Sequence, residues 1–178
     1  ARSLPPFFAD QPGQERSGLF LFLNTNKQSL TLNLKADRGL EMVLRLIKTA
    51  DVVVENFRPG VLAQLGLTQE KLERANPRLV RVSISNFGTS GPYRDYHMTD
   101  NVAYALGGWM YPMGELDRPP VQPGGAFGQY MAGLYAAIGT LQAIRNRNVT
   151  GQGQHVEVSI QEALIATTLY DFVAFSYS

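Results

Sequence analysis

The chain has 178 residues, 44% of them apolar and 17% charged, with a formal net charge of +1 and no cysteine. That is enough for one domain with its own core. It excludes a disulfide framework or a thiolate metal site, and it lacks the basic excess of a nucleic-acid or anionic-membrane binder.

No apolar run is long enough to span a membrane. The opening Ala1-Arg2-Ser3-Leu4-Pro5-Pro6 lacks the order of a signal peptide, and the absence of cysteine fits an expected cytoplasmic protein. The chain starts without Met and ends inside a helical pattern, which reads as a piece of a longer protein.

Residues 1–18, rich in Pro, Gly and charge, read as an irregular lead-in, and residues 19–178 as one domain. Leu30, Leu32 and Leu34 alternate with Thr31 and Asn33, which predicts a strand over Ser29–Leu34. Asp37 is placed to cap a helix. Leu40, Val43, Leu44 and Ile47 then fall on one face of that helix, which ends near Ala50.

Val52-Val53-Val54 is a continuous apolar run, suited to a strand buried on both faces. Asn56-Phe57-Arg58-Pro59-Gly60 breaks it. Pro59 fits the first turn of a short helix over Val61–Leu65, and Thr68 caps another turn that Asn76-Pro77 stops. Val80, Val82 and Ile84 alternate with Arg81, Ser83 and Ser85 as a third strand.

Beyond the turn chemistry of Asn86–Pro92 come a helix from Asp100 to Trp109, a Pro/Gly loop from Tyr111 to Gly125 and a long helix from Gln129 to Arg147. The stretch Tyr130–Ile144 reads as buried. A strand over His155–Ser159 and a final helix from Ile160 complete the order. Strand–helix alternation of this kind predicts an α/β fold, a Rossmann-like parallel sheet with flanking helices and right-handed crossovers.

In open α/β sheets ligands bind beyond the carboxyl ends of the strands. Those ends are Lys35, the Asn56-Phe57-Arg58 turn and Asn86. Cations and backbone N–H groups there suit a phosphate-bearing ligand, and Phe57 offers a surface to a base or a pantetheine arm. Against this, a Lys after a strand is usually solvated, and Asn-Phe-Arg-Pro-Gly is also an ordinary turn.

There is no G-x-G-x-x-G, no P-loop and no G-x-S-x-G elbow. His97 and His155 lie far apart in sequence, without the spacing of a zinc site, so no metal is expected. Asp95, Asp100, Glu115 and Asp117 read as loop and cap residues.

Five blocks taken together resemble the family III CoA-transferases, the group of formyl-CoA transferase, carnitine CoA-transferase and the α-methylacyl-CoA racemases. They are residues 24–35, Ala50–Gly60, Asn76–Val80, Ala132–Gly139 and Thr150–Val156. The resemblance runs from about Phe20 to Ala163 and implies an internal part of that family's large domain, of about half the family length. It implies acyl-CoA and a small carboxylic acid as substrates, with coenzyme A as the carried group. It also implies a homodimer, or a heteromer with a sister subunit, made in the family by interlocked chains.

Carried over by the resemblance, the CoA contacts fall on Leu32, Asn33, Leu34 and Lys35, and on Asn56, Phe57 and Arg58. A basic residue six positions after Arg58 is replaced by Gln64. His97 falls where some members have a Lys near the thioester arm, and Asp100 matches a residue common to the group.

The family's nucleophilic aspartate, which attacks the thioester and becomes an aspartyl-CoA thioester, falls on Gln129. A glutamine amide is uncharged and one methylene longer, so this chain is expected to be catalytically impaired. Asp117 and Glu157 are the nearest replacement carboxylates in sequence, and neither is well placed. The racemase histidine falls on Thr99, so both racemase bases are lost and a racemase-like activity ranks below transfer. A non-catalytic, CoA-binding or scaffolding subunit is the other expectation.

Overall fold

The computed structural model describes residues 2–177, except the side chains of Phe172 and Phe175; Ala1 and Ser178, at the two ends of the sequence reading, lie outside the described residues. The chain divides into two compact units, residues 1–32 and 33–178.

In the first unit, helix α1 (Gly18–Leu23) is capped by Ser17, whose hydroxyl accepts from the Phe20 N–H and donates to the Leu4 carbonyl. The Arg2 guanidinium lies 3.9 Å from the Phe20 ring centroid, a cation–π contact.

In the second unit, helix α2 (Asp37–Ile47), strand β1 (Val52–Glu55), helices α3 (Val61–Gln64) and α4 (Gln69–Ala75), and strand β2 (Val80–Ser85) follow one another. Helix α5 (Asp100–Leu106), helix α6 (Phe127–Thr150), strand β3 (His155–Ser159) and helices α7 (Ile160–Ile165) and α8 (Leu169–Tyr177) complete it. The strands form a parallel sheet in the order β1-β2-β3, with Val52 paired to Val80 and Arg81 to His155.

The sheet has two unlike faces, set by the alternation of side chains along each strand. On one face Val80, Val82, Val156 and Val158 meet Ala136 and Ala143 of α6. Helix α6 presents Gly128, Ala132, Ala136, Gly139, Ala143 and Arg147, one small or buried residue about every turn. A Cβ on Gly139 would lie 2.8 Å from Val156 Cγ1, so glycine there is what lets the helix sit this close to β3. Its last turn is anchored by Arg147, which donates to the carboxylate (2.9 Å) and carbonyl (3.3 Å) of Asp51.

On the other face Ile47, Leu67, Leu72 and Leu79 make a core with α2 and α3 residues and Val53. The same face carries a polar array of Arg81, Ser83 and Ser85 on β2 beside His155 and Glu157 on β3, with Ser83 and Ser85 buried. A third core joins α5 to α7 around Tyr104 and Leu164.

Several expectations need correction. No strand forms over Ser29–Leu34: the alternation is there, but the segment pairs with no strand, and Leu30 is 64% exposed. Lys35 is therefore not a strand end. The N-cap position of α2 is Ala36, with Asp37 inside the helix and no side-chain cap. Gly60, at φ +87°, takes the N-cap position of α3 in place of Pro59 in its first turn.

Val54 is 62% exposed, because β1 is an edge strand and α6 packs chiefly over β2 and β3. Helix α5 stops at Leu106, three residues before Trp109. The closing helix breaks at residues 166–168 into α7 and α8. Helix α6 is buried on one face only; Leu134, Ile138 and Leu141 stand exposed on the other.

Candidate active site

The candidate residues fall into three groups. Asn33, Leu34 and Lys35 form a turn ahead of α2, in which the Asn33 side-chain oxygen accepts from the Lys35 N–H (3.0 Å) and its carbonyl from the Ala36 N–H (3.1 Å). A Cβ on Gly39 would lie 2.0 Å from that carbonyl, so the turn is laid directly on the first turns of α2. Leu32, half-buried, closes the first unit.

Asn56, Phe57 and Arg58 follow β1, all exposed. Glu55 shapes this turn by accepting from the Phe57 N–H at 3.0 Å. Arg94, on the loop after β2, reaches the same turn: its Nη2 lies 3.6 Å from where a Cβ on Gly60 would be. Sequence reading gave no signal for Arg94, because it is brought there by the packing of two loops distant in sequence.

The third group joins α5 to α6. Gln129, in the first turn of α6, donates from its amide nitrogen to Asp100 Oδ1 at 3.3 Å. This corrects the expectation about nearby carboxylates: the one placed against Gln129 is Asp100, the first residue of α5, and not Asp117 or Glu157. Thr99 caps α5 by accepting from the Val102 N–H (3.5 Å). His97 is exposed on the loop just ahead of them.

Tyr104, buried, fixes this corner; its hydroxyl donates to the Gly125 carbonyl (2.8 Å) and accepts from the Phe127 N–H (2.9 Å), holding the start of α6.

The polar sheet face was missed as a site because its residues read only as the solvent half of an alternation. Glu157 accepts from the Thr89 N–H (2.5 Å) and hydroxyl (2.6 Å), tying the loop after β2 to β3. Burial pushes the Glu157 carboxyl up, but the Thr89 hydrogen bonds, with His155 and Arg81, outweigh it and hold the group below the usual carboxylate range. His155 Nε2 lies 2.9 Å from the Ser83 hydroxyl. Its pKa is pushed down, first by burial and then by Arg81, against the opposing pull of Glu157 and Glu55.

Two clefts open on this face. One, of about 340 Å³, lies toward the amino ends of the strands, against Asn76, Pro77 and Gly153. The other, of about 180 Å³, lies at their carboxyl ends, between Phe57, Arg58 and the polar array. The second is where the topology places a ligand.

No group of three or more His, Asp or Glu able to hold a metal occurs among the described residues. No helix among them is long and apolar enough to cross a membrane.

Comparison with known proteins matches residues 1–178 to CoA-transferase family III. The chain is similar to the formyl-CoA:oxalate CoA-transferase of Streptomyces avermitilis, at 43% identity over 82% of this chain and 36% of that protein. It is also similar to the beta subunit of the succinyl-CoA–L-malate CoA-transferase of Chloroflexus aurantiacus, at 41% identity over 78% of this chain and 35% of that protein. Among solved structures, a CAIB/BAIF family protein from Brucella suis superimposes with a TM-score of 0.88 at 35% identity, covering 98% of this chain and 46% of that one. The chain thus spans about 36% of the length of curated relatives such as the Streptomyces enzyme. With its parallel sheet, its flanking helices and a match over its whole length, the chain belongs to CoA-transferase family III.

Proposed function

We propose that this chain contributes the coenzyme A-holding part of a CoA-transferase that moves CoA between an acyl-CoA and a small carboxylic acid, and that it does not itself supply the nucleophile. The observation that carries the second half is the amide at Gln129, turned onto Asp100 at the first turn of α6. Transfer through a covalent intermediate needs a carboxylate oxygen to attack the thioester carbonyl and expel the CoA thiolate. A neutral amide oxygen at that position does neither. The turns at Asn33–Lys35 and at Asn56-Phe57-Arg58 are the parts that would hold CoA, with Phe57 as an apolar surface and the basic side chains toward its phosphates.

The test is intact-mass spectrometry after incubation with an acyl-CoA and rapid quenching. The unaltered chain is expected to carry no CoA adduct, and Gln129→Asp is expected to gain one. The new carboxylate would sit beside Asp100, and two neighbouring carboxylates raise the pKa of one of them, so adduct formation should increase with pH. An adduct on the unaltered chain would overturn the assignment and put the nucleophile elsewhere.

A second reading, that a sister chain supplies the aspartate, is favoured by the similarity to a protein named as a beta subunit. It predicts that the adduct forms on that partner when both chains are present. A racemase-like activity has less support, because Thr99, at the position of the second base, is engaged in capping α5.

A further inference from the structure

The cleft of about 180 Å³ at the carboxyl end of the sheet holds a group that the candidate residues leave unexplained. Ser85 lines it, is 8% exposed, and its hydroxyl is shielded from solvent without a hydrogen-bond partner among the described residues. A buried hydroxyl without a partner is costly, and a native structure that keeps one generally reserves it for an ion, a water or a ligand atom. Arg58 and Arg81 are among the residues that line the same cleft. Glu55 is the carboxylate in the cleft wall, and it already accepts from the Phe57 N–H.

Ser83, 4% exposed, adds a second hydroxyl, paired with His155 Nε2. When His155 donates in that pair, the Ser83 O–H is free to donate into the cleft. Two arginines and two serines line a space smaller than the roughly 300–1,000 Å³ that takes a whole drug-sized molecule. The space therefore suits one end of a larger ligand.

We propose that this cleft is a phosphate subsite, in which Arg81, Ser85 and the Ser83–His155 pair bind a phosphate group of the ligand whose nucleotide end rests at the Asn56-Phe57-Arg58 turn. The proposal rests on the CoA reading above for the identity of that ligand. Guanidinium forks match phosphate oxygens two at a time, and hydroxyl donors satisfy the remaining lone pairs. Arg81 is held otherwise by a long 3.5 Å contact to Gln69, so it can turn to a ligand.

The test is calorimetric titration of the chain with CoA, dephospho-CoA and inorganic phosphate, for the parent, Arg81→Met, Ser85→Ala and Arg58→Ala. Arg81→Met is expected to weaken CoA at least tenfold, and Ser85→Ala several-fold. Ser85→Ala should leave the urea midpoint unchanged or slightly raised, since it removes an unpartnered hydroxyl; a merely structural serine would not separate the two readouts. A loss confined to CoA identifies the 3′-phosphate as the occupant, and an equal loss with dephospho-CoA identifies the diphosphate.

CoA affinity unchanged in Arg81→Met but lowered in Arg58→Ala overturns the subsite and leaves the CoA reading standing. If CoA does not bind at millimolar concentration, the CoA reading fails. In that case inorganic phosphate that binds the parent but not Arg81→Met supports the subsite alone, and phosphate that binds neither overturns it.

Discussion

Tyr104→Phe isolates what holds the start of α6 in place. The substitution keeps the buried ring, which is 1% exposed, and removes only the oxygen that bridges Gly125 and Phe127. Ala126, at the N-cap position, offers no side-chain cap, so the phenol does the work a capping residue would otherwise do. Two hydrogen bonds are lost, each worth about 1 kcal/mol net. Both are part-buried, so water can reach the freed groups and the total stays near 2 kcal/mol. For a chain of this size 1 kcal/mol moves Tm by about 2–4 °C, so Tm should fall by about 4–8 °C. Urea unfolding followed by far-UV circular dichroism, with the slope unchanged, measures the difference. Hydrogen exchange should quicken over residues 125–130, the turn that carries Gln129. A free-energy loss under about 0.5 kcal/mol, below the worth of a single bond, would refute the claim that the phenol anchors the helix.

Asn76→Asp should cost about 2–4 kcal/mol by the same unfolding assay, because the Asn76 amide donates to the carbonyls of both Ile47 (3.0 Å) and Ala50 (2.9 Å), and a carboxylate would face them as a third acceptor. Gly39→Ala should cost about 1–3 kcal/mol and, more tellingly, displace the Asn33–Lys35 turn, since the new methyl meets the Asn33 carbonyl at 2.0 Å; weakened CoA binding alongside lost stability is the expected calorimetric result. Stability should fall with acid in two stages. His155 and Glu157 both have folded-state pKa values below their unfolded ones, so each contributes fully above its unfolded value, 6.5 and 4.5 respectively, and loses that contribution as pH drops through the folded value. In urea titrations across pH, Glu157→Gln should be less stable than the parent at pH 7 and approach it in acid; a constant gap would refute the role of the Thr89 clamp.

The three strands were legible because Val52–Val54, Val80–Ile84 and the His155–Ser159 alternation are written in β-branched residues, and Thr68 marks a helix start by local chemistry alone. Leu30–Leu34 carries an equally clear alternation and forms no strand, because pairing depends on what lies alongside and not on the segment. Helix α1 was overlooked although Ser17 ahead of an apolar run is a readable start signal. Of the site, the resemblance supplied the positions, but the juxtaposition of Gln129 with Asp100, the reach of Arg94 to Gly60 and the meeting of Arg81, Ser83 and His155 arise from contacts between distant segments. Local pattern carries no trace of them.

Two glycines at the end of α6 bear on how such chains are recognised. Gly151, at φ +80°, closes the helix by donating to the Arg147 carbonyl (2.8 Å), and a Cβ on Gly153 would lie 1.9 Å from the Leu79 carbonyl. The Thr150–Val156 block is thus a joint between helix and sheet. Its sequence answers to the joint it forms and not to Gln129, which lies at the other end of α6. The two can part company during evolution: position 129 at the start of α6 can change while Gly151 and Gly153 keep the joint at its end. Likeness across this family is therefore carried by the joints of the scaffold as much as by the residue at any one site.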